Sequence, residues 1–255
     1  MGAAILLWLV PFLSMLVFSS AQGGYVGIVN GRVAKPHSRL YMVSVQRDEQ
    51  HICGGFLVSE SFVMTAAHCI TWGKDLTVVV GVHDIEKQNS GTRIPVKHSH
   101  VPKEYDFRTL HNDIALLQLT KPAKKSKFVE WISLPEKDGD IMAKSVCSVA
   151  GWGATKTNGN PSNLLLEADV VIMKREKCQK LWRPSEISKK MLCASGKAGF
   201  CQGDSGGPLV SNNIAVGVVS FNEKTNCNKP RKPNVYTKIS GYLPWINSTL
   251  ESVKY

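Results

Sequence analysis

The strongest chemical signal in the sequence is a serine enclosed by glycines, in residues 203–208, which read GDSGGP. Glycines on both sides of Ser205 allow tight backbone turns and close approach of a substrate. They also allow backbone N–H groups to point at one position, as an anionic transition state requires. A glycine-rich surface turn has a similar composition, so the segment indicates catalysis most strongly together with other residues.

Two further segments carry the groups that a serine nucleophile needs. His68 ends a β-like run, and Asp113 stands immediately before an apolar run. Taken alone, such a histidine is more often structural, and such an aspartate more often forms a turn. A serine nucleophile, however, needs a base, and the base needs a carboxylate that fixes its tautomer. Ser205, His68 and Asp113 together therefore predict nucleophilic catalysis.

The elements that must position these groups read as short β-strands. Apolar runs rich in Val, Ile, Leu and Thr recur at roughly even spacing between turn residues, which predicts an all-β barrel or sandwich. In residues 240–253 the apolar positions lie three and four apart, which predicts a helix at the end of the chain. Examples of these runs are 56–65, 76–82, 114–119, 146–150, 164–172 and 214–221.

Composition narrows the class of protein. The 255 residues fit one β-rich domain or two small halves that share an interface, and a hydrophobic fraction of 43% excludes a disordered chain. The formal charge of +11 favours anionic partners: nucleic acid, sulfated glycan or membrane. The sequence contains no zinc-finger, phosphate-loop or RNA-binding aromatic motif, so nucleic acid is the weakest of these choices.

The first residues indicate export. Residues 3–18 are nearly all apolar, and a run of about 16 is short for a bilayer span but suits the core of a signal peptide. Small residues at 19–21 allow cleavage, so we predict a signal peptide over 1–21, with an uncleaved anchor as the alternative. Seven cysteines, none in a CxxC pair, also fit an oxidised, secreted protein. Because His98 and His100 lack a convincing third ligand, neither a metal nor a cofactor is expected.

From residue 28 to residue 255 the chain resembles the trypsin/chymotrypsin-like serine proteases. His68, Asp113 and Ser205 follow the chain order of that family. Residues 28–31 (IVNG), 53–55 (CGG), 151–153 (GWG) and 244–246 (PWI) are also similar. Within the family, residues 34–39 (AKPHSR) and 41–42 (YM) most resemble granzymes and other granule proteases of leukocytes and mast cells.

The resemblance implies an all-β fold of two six-stranded antiparallel β-barrels, about 28–130 and 131–255, with a C-terminal α-helix. The site would lie in the cleft between the barrels. Ser205 would attack the scissile carbonyl, His68 would transfer the proton, and Asp113 would orient His68. The backbone N–H groups of Gly203 and Ser205 would form the oxyanion hole.

The resemblance also implies activation by cleavage. Residues 22–27 would be a propeptide, and the new ammonium group of Ile28 would pair with Asp204. Gly27 precedes the cut, whereas trypsin-like activators need Lys or Arg there. Residues 22–27 make up a whole number of dipeptides, and we therefore hypothesise removal by a dipeptidyl peptidase.

The family correspondence pairs Cys53 with Cys69, Cys178 with Cys193, and Cys201 with Cys227. Cys147 is left over, because its usual family partner is replaced by Ser211. We predict a free thiol there. Both a buried, inert cysteine and an intermolecular bridge remain open.

The primary pocket implied by the resemblance carries no aspartate. Trypsin-like enzymes have one six positions before the nucleophile, where this chain has Gly199. Substrates with Arg or Lys before the cut bond would find no counter-charge, so we predict an uncharged, small or medium aliphatic residue. The other implied pocket residues are Phe200, Gln202, Ser220, Phe221, Asn222 and Asn234.

The predicted protein is a secreted or granule-stored serine endopeptidase that acts on protein and peptide substrates as a monomer. The resemblance implies serpin-type inhibitors. It also implies binding of sulfated glycosaminoglycan by two basic clusters, with a solvated surface as the alternative for both. Neither nucleic acid nor a membrane span after signal removal is expected. Asn247 begins a glycosylation motif. The rival hypothesis is a basic, non-catalytic protein on the same fold that binds glycans or microbes. The clusters are Lys121, Lys124, Lys125 and Lys127, and Lys174, Arg175, Lys177 and Lys180.

Overall fold

The structure is a computed structural model that describes residues 28–70, 75–87, 91–196, 198–223 and 226–252. The predicted signal peptide and propeptide lie outside the described residues. The strands are β1 (Arg32–Val33), β2 (Met42–Arg47), β3 (Gln50–Leu57), β4 (Phe62–Thr65), β5 (Thr77–Val80), β6 (Thr92–His100), β7 (Ala115–Leu119), β8 (Val146–Gly151), β9 (Leu166–Met173), β10 (Met191–Ser195), β11 (Pro208–Ser211), β12 (Ile214–Phe221) and β13 (Asn234–Lys238), and the α-helices are α1 (Arg175–Trp182) and α2 (Leu243–Glu251).

The first barrel is built from β2 to β7. These strands close in the order β2-β3-β4-β7-β6-β5, and every neighbouring pair is antiparallel. Inward-facing side chains fill the interior, among them Val43, Phe56, Met64 and Leu116, none of which is exposed. Closure removes the free strand edges that would otherwise pair with other chains.

The second barrel is built from β8 to β13. Its strands run in the order β8-β9-β10-β13-β12-β11, and β11 pairs with β8 to close the ring. Val149, Leu209, Val219 and Tyr236 are fully buried in its core. The prediction of an all-β fold with two six-stranded antiparallel barrels is therefore confirmed.

The first and the last described segments each pack against the barrel to which they do not belong by sequence. Strand β1 pairs with β9 of the second barrel, and Val29 forms a bridge with Gly199. At the other end, Tyr242 and Ile246 belong to the core that fills the first barrel. Each barrel is therefore held by a segment that is distant in sequence.

The C-terminal helix is confirmed, with a later start than predicted. Residues Ile239–Tyr242 form a 3-10 turn, and α2 begins at Leu243 with Pro244 in its first turn, where proline is well tolerated. Asn247 is exposed on this helix. None of the helices in the described part of the chain is both long and apolar enough to cross a membrane.

Two features of the secondary structure differ from the sequence-based prediction. The run 56–65 is two strands, β3 and β4, because Ser59, Glu60 and Ser61 form a turn closed by the Val58 N–H bond to the Phe62 carbonyl (3.0 Å). Helix α1 was not predicted at all.

Three disulfides stabilise the fold, and they are the pairs implied by the resemblance: Cys53–Cys69, Cys178–Cys193 and Cys201–Cys227. Cys147 is a free cysteine on β8, only 2% exposed and packed in the core of the second barrel. Burial raises the pKa of its thiol, which keeps it in the unreactive protonated form.

Burial of Cys147 favours the inert thiol over the intermolecular bridge. We expect a thiol-specific alkylating reagent to leave the native protein unlabelled and to label one cysteine in urea. In the native protein the core keeps the reagent out, and burial disfavours the reactive thiolate form of Cys147. Mass spectrometry after each treatment measures this, with Cys147→Ser as the unlabelled control. Rapid stoichiometric labelling in native buffer, or a covalent dimer on non-reducing electrophoresis, would contradict it.

Candidate active site

His68 lies in a 3-10 turn, Ala67–Cys69, immediately after β4. The disulfide between Cys53 and Cys69 ties this turn to β3. The imidazole Nδ1 is 2.8 Å from Asp113 Oδ2, and the backbone N–H of His68 donates to Asp113 Oδ1 at 2.9 Å. Two contacts to one carboxylate fix both the backbone and the ring of His68, and its side chain keeps 20% of its surface exposed.

Asp113 is completely buried and lies two residues before β7. Its Oδ2 also accepts a hydrogen bond from Ser220 Oγ at 2.5 Å, and its backbone carbonyl accepts one from Thr237 Oγ1 at 2.7 Å. Ser220 and Thr237 belong to β12 and β13 of the second barrel. The carboxylate therefore joins the two barrels at the position where it holds His68.

Ser205 lies in the turn that leads into β11. Its carbonyl accepts a hydrogen bond from the Gly54 N–H at 2.8 Å and lies 3.8 Å from Cys69 Sγ. Gly206 continues the turn with φ of +82°, and a Cβ there would collide with Thr65 Oγ1. Only glycine permits this contact. The turn that carries Ser205 therefore packs directly against the end of β4 and the 3-10 turn that follows it.

Gly203 is held by a histidine that sequence reasoning missed. Its carbonyl accepts a hydrogen bond from His51 Nε2 at 3.0 Å, so Nδ1 of the same ring accepts the 2.8 Å hydrogen bond from Ser44 Oγ. Desolvation by burial lowers the pKa of His51 to about 4, against a smaller opposing effect of the Gly203 bond. Nothing in the sequence around His51 marks this role, because the partner is a backbone carbonyl 152 positions away.

Asp204 is a second buried carboxylate, next to Ser205. Its oxygens accept hydrogen bonds from the Gly153 N–H at 2.8 Å and from the Cys201 N–H at 3.0 Å. A Cβ at Gly151 or Gly153 would collide with this side chain. Burial raises the pKa of Asp204 to about 7, opposed by the two backbone bonds, and no cation among the described residues contributes to it.

Ile28 is the first residue that the structure describes. It is fully buried, and the carbonyl of Val29 accepts a hydrogen bond from the Gly199 N–H at 3.2 Å. Val29 packs with Cys201, whose N–H binds Asp204.

Comparison with known proteins identifies the family of the chain. The family model described as Trypsin matches residues 28–246, most of the chain. The chain belongs to the trypsin family. It is a serine endopeptidase of that family, as its named relatives are.

Several curated relatives match over almost their whole length. Duodenase-1 of Bos taurus is 39% identical over 253 residues, covering 96% of this chain and 98% of the relative. Human cathepsin G is 36% identical over 253 residues (96% of each chain), and human granzyme B is 37% identical over 250 residues (94% and 98%). The granzyme-like and leukocyte-protease-like character of the sequence is thus confirmed.

A solved structure supports the same fold. Neuropsin, described as a serine protease expressed in the limbic system of mouse brain, superimposes with a TM-score of 0.81. Its sequence is 34% identical, and the match covers 88% of this chain and all of that chain.

The residues expected in the substrate pocket of this trypsin-family enzyme fall into two groups. Gly199 and Asn234 lie together, since a Cβ at Gly199 would collide with Asn234 Nδ2. Asn222 follows β12 and donates from Nδ2 to the Phe200 carbonyl at 2.8 Å. Exposed Gln202 has its Oε1 3.4 Å from Cys227 Sγ.

The other pocket residues direct their side chains elsewhere. Phe200 was expected on a pocket wall, but its ring is 3% exposed and packs edge-to-face on Tyr236 in the barrel core, 5.3 Å between centroids. Phe221 packs edge-to-face on Trp182 of α1 at 5.1 Å. Ser220 directs its hydroxyl to Asp113, as described above.

The residues considered as metal ligands do not form a convincing site. His98 and His100 both lie on β6, with ring centroids 6.4 Å apart. His68 lies close to Cys53 and Cys69, but these sulfur atoms form a disulfide and offer no thiolate.

The lowered pKa of His51 predicts a pH-dependent stability. The unfolded chain binds a proton at this histidine near pH 6.5, whereas the folded protein resists protonation until about pH 4. Since the unfolded state binds more protons in this window, the free energy of unfolding should fall by about 3 kcal/mol from pH 7.5 to pH 4 on account of His51.

The measurement is urea denaturation of the wild type and of His51→Gln, which keeps a donor for the Gly203 carbonyl but does not titrate. The wild type should lose more stability on acidification than the variant. Equal losses in the two proteins would contradict the assignment.

Proposed function

We propose that this endopeptidase cleaves peptide bonds with Ser205 as nucleophile, His68 as general base and acid, and Asp113 as the group that orients His68. The observation that carries the proposal is the pair of contacts at 2.8 and 2.9 Å between His68 and the buried Asp113. The glycine turn bearing Ser205 packs against the same segment, which supports its role as the nucleophile.

The proposed reaction follows from these positions. Ser205 Oγ attacks the scissile carbonyl while His68 Nε2 takes its proton, and the resulting imidazolium is stabilised through Nδ1 by Asp113. The same proton then passes to the leaving amine. The N–H groups of Gly203 and Ser205 hold the oxyanion, and losing one such donor typically costs on the order of 10²–10³ in rate.

Activation is proposed to depend on Ile28 and Asp204. A fully buried carboxylate whose pKa rises to about 7 lacks a compensating charge. An ammonium group at a newly formed Ile28 terminus would supply that charge, and the contacts of Val29 with Gly199 and Cys201 support its proximity. The pair would order the segment that provides the oxyanion hole.

The proposed specificity is for an uncharged, small or medium aliphatic residue before the cut bond. Gly199 offers no carboxylate to Arg or Lys, and its neighbour Asn234 is neutral. The buried ring of Phe200 contributes no charge either.

We also propose secretion or granule storage, with inhibition by serpin-type proteins and binding of sulfated glycosaminoglycan. Similarity to mast cell protease 3 of Ovis aries, at 38% identity, supports the first point. Arg175 is ion-paired with Asp140, and Lys125 with Glu130, so glycan binding would depend on the other members of the two basic clusters. These are the exposed Lys121, Lys124, Lys127, Lys174, Lys177 and Lys180.

The catalytic assignment predicts the effect of removing the nucleophile. With protein beginning at Ile28, Ser205→Ala should lower kcat on a peptide library by roughly 10⁶-fold, because the attacking oxygen is lost. Ser145→Ala, at a residue that hydrogen-bonds through its backbone N–H and carbonyl, is the matched control and should retain activity.

The same library, varied at the residue before the cut bond, tests the pocket. Aliphatic residues should dominate the profile. Hydrolysis that persists in Ser205→Ala would contradict the mechanism, and a profile dominated by Arg or Lys would contradict the role of Gly199. An inactive but folded wild type would instead favour the glycan- or microbe-binding role.

The activation proposal predicts a stability difference between the precursor, which retains residues 22–27, and the mature form. Pairing with the Ile28 ammonium should lower the pKa of Asp204 and make the mature form more stable by about 3 kcal/mol at pH 7.5. This gain should shrink as the pH falls below about 7, the pKa of unpaired Asp204, and should be gone below the lowered pKa, where the carboxylate is protonated in both forms. It should also be lost at alkaline pH, when the ammonium group deprotonates.

Urea denaturation across this pH range measures the difference. Asp204→Asn is the control, in which precursor and mature forms should have equal stability at every pH. A pH-independent difference, or one that survives in Asp204→Asn, would contradict the proposed pair.

A further inference from the structure

A cavity of about 510 Å³ lies on the second barrel, at the end of β9 and the start of α1. We call it the α1 cavity. None of the described residues that line it is among the proposed catalytic residues or the residues expected in the substrate pocket. Its lining includes Ile141, Met142, Met173, Lys174, Arg175 and Met191.

Ion pairs hold one wall of the α1 cavity in place. Asp140 accepts hydrogen bonds from Arg175 Nη1 at 3.0 Å and Nη2 at 2.7 Å, and from Lys238 Nζ at 3.2 Å. The Arg175 guanidinium is the main cause that lowers the pKa of Asp140 to about 2, so these pairs persist at neutral pH. The Lys238 side chain is only 8% exposed, and Asp138 is its second partner at 3.0 Å. Because a buried lysine is costly without such partners, the segment 138–140 is fixed.

Backbone hydrogen bonds fix the neighbouring wall. Residues 142–145 form a turn, closed by the Ser145 N–H bond to the Met142 carbonyl at 3.1 Å. The turn is joined to β9 twice: the Lys144 N–H donates to the Ile172 carbonyl at 2.8 Å, and the Ile172 N–H donates to the Ser145 carbonyl at 2.9 Å. The α1 cavity is therefore formed before any ligand binds, which lowers the entropic cost of binding.

Apolar side chains are exposed to solvent at this cavity. Met142, which lines it, is 79% exposed. Val146 on β8 and Val171 on β9 are directly paired and are 63% and 39% exposed. They stand on the outer face of the barrel, where such strands normally carry polar residues. A ligand with an apolar side chain would remove part of this surface from water.

Lysines without ion pairs stand at the same surface. Lys174 lines the cavity, Lys144 belongs to the turn beside it, and the Lys189 carbonyl accepts a 3.4 Å hydrogen bond from the guanidinium that pairs with Asp140. All three lysines are exposed, and the ion pairs found among the described residues include none of them. Of the acids that line the cavity, Asp140 is already paired and Glu176 is exposed. The surface therefore attracts anionic ligands.

This combination of groups selects among anionic ligands. A sulfated glycan would bind the lysines but carries no apolar group for Met142, Val146 and Val171. A membrane surface would contact the protruding side chains but would leave a cavity of this size unfilled. A peptide segment with an apolar side chain next to carboxylates matches the cavity, the apolar side chains and the lysines together.

We propose that the α1 cavity is a second binding site for protein substrates, which takes a segment where an apolar side chain stands next to acidic residues. The apolar side chain packs against Met142 and Met173, and its acidic neighbours pair with Lys144 and Lys174. The inference rests on the proposed function and deepens it, because it adds a surface that recognises substrates apart from the proposed substrate pocket.

The binding test uses Ser205→Ala protein beginning at Ile28, so that catalysis plays no part in it. The probe is a fluorescein-labelled peptide of sequence Asp-Glu-Leu-Leu-Glu-Asp, and fluorescence anisotropy measures its Kd. Lys174→Glu should raise Kd by at least about tenfold, because repulsion replaces a charge-assisted hydrogen bond. Met142→Ser should raise Kd by about fivefold, because less apolar surface is buried.

Matched controls separate this site from general attraction to a basic protein. Lys97→Glu makes the same change of charge at an exposed position of β6 in the first barrel and should leave Kd unchanged. The peptide with serines in place of its leucines should bind at least about fivefold more weakly, and this comparison tests the apolar contact even if Met142→Ser does not fold.

Three results of the binding test would overturn the proposal. They are absence of saturable binding by folded protein, equal effects of Lys97→Glu and Lys174→Glu, and equal affinity for the serine peptide. The last result would mean a site for anions of any kind, sulfated glycans included.

Kinetics with active protein beginning at Ile28 test the role in substrate binding. One substrate is a short alanine peptide, and the others join the same peptide, in either order, to Asp-Glu-Leu-Leu-Glu-Asp through about 20 glycine and serine residues. At least one joined substrate should have a KM about tenfold lower than the short peptide. Lys174→Glu should abolish this difference, and Lys97→Glu should retain it.

The kinetic outcomes distinguish this proposal from the proposed function. Equal KM values for the short and joined substrates would overturn the substrate role of the α1 cavity and leave the mechanism standing. A folded wild type that cleaves none of the substrates would overturn the proposed function and the substrate role with it. The binding measurements with Ser205→Ala decide independently whether the cavity binds the acidic peptide.

Discussion

The bonds to the buried carboxylate of Asp113 are the interaction on which the rest of the structure depends. A buried charge is costly unless hydrogen bonds replace its lost hydration. Here the donors come from both halves of the chain: His68 from the first barrel, and Ser220 from the second, while Thr237 binds the carbonyl of the same residue. The barrels therefore cannot move apart without exposing an unsatisfied charge, so the packing of the domain and the orientation of His68 are a single constraint.

Asp204 is also a buried carboxylate, but its hydrogen-bond donors are of a different kind. Its carboxylate receives only backbone N–H groups within the described residues, and Gly151 and Gly153 make room for it. The raised pKa of Asp204 shows that these bonds do not offset burial. The Asp113 carboxylate thus has one backbone and two side-chain partners, whereas Asp204 has only backbone partners among the described residues and could be stabilised further by a cation. This difference supports the proposal that Asp113 orients His68 and that Asp204 pairs with a cation on activation.

The sequence predicted best those features that depend on residue type and order. The glycines around Ser205 indicated a tight turn, and Gly206 indeed occupies a position that tolerates no Cβ. The role of His51 was invisible, because its partner is the backbone carbonyl of Gly203 rather than a side chain. Helix α1 was missed for a related reason: only Cys178 and Trp182 are buried on it, too few apolar positions to produce a helical period.

The residues expected in the substrate pocket show why residue types alone describe a binding site poorly. The residue type of Phe200 predicts a bulky side chain on a pocket wall, yet its ring is buried against Tyr236. The backbone carbonyl of Phe200, not its ring, contacts Asn222. Every residue has such a carbonyl, so no sequence pattern distinguishes the one that accepts this bond. The position of this carbonyl follows instead from the packing of the Phe200 ring on Tyr236 and from the disulfide between Cys201 and Cys227.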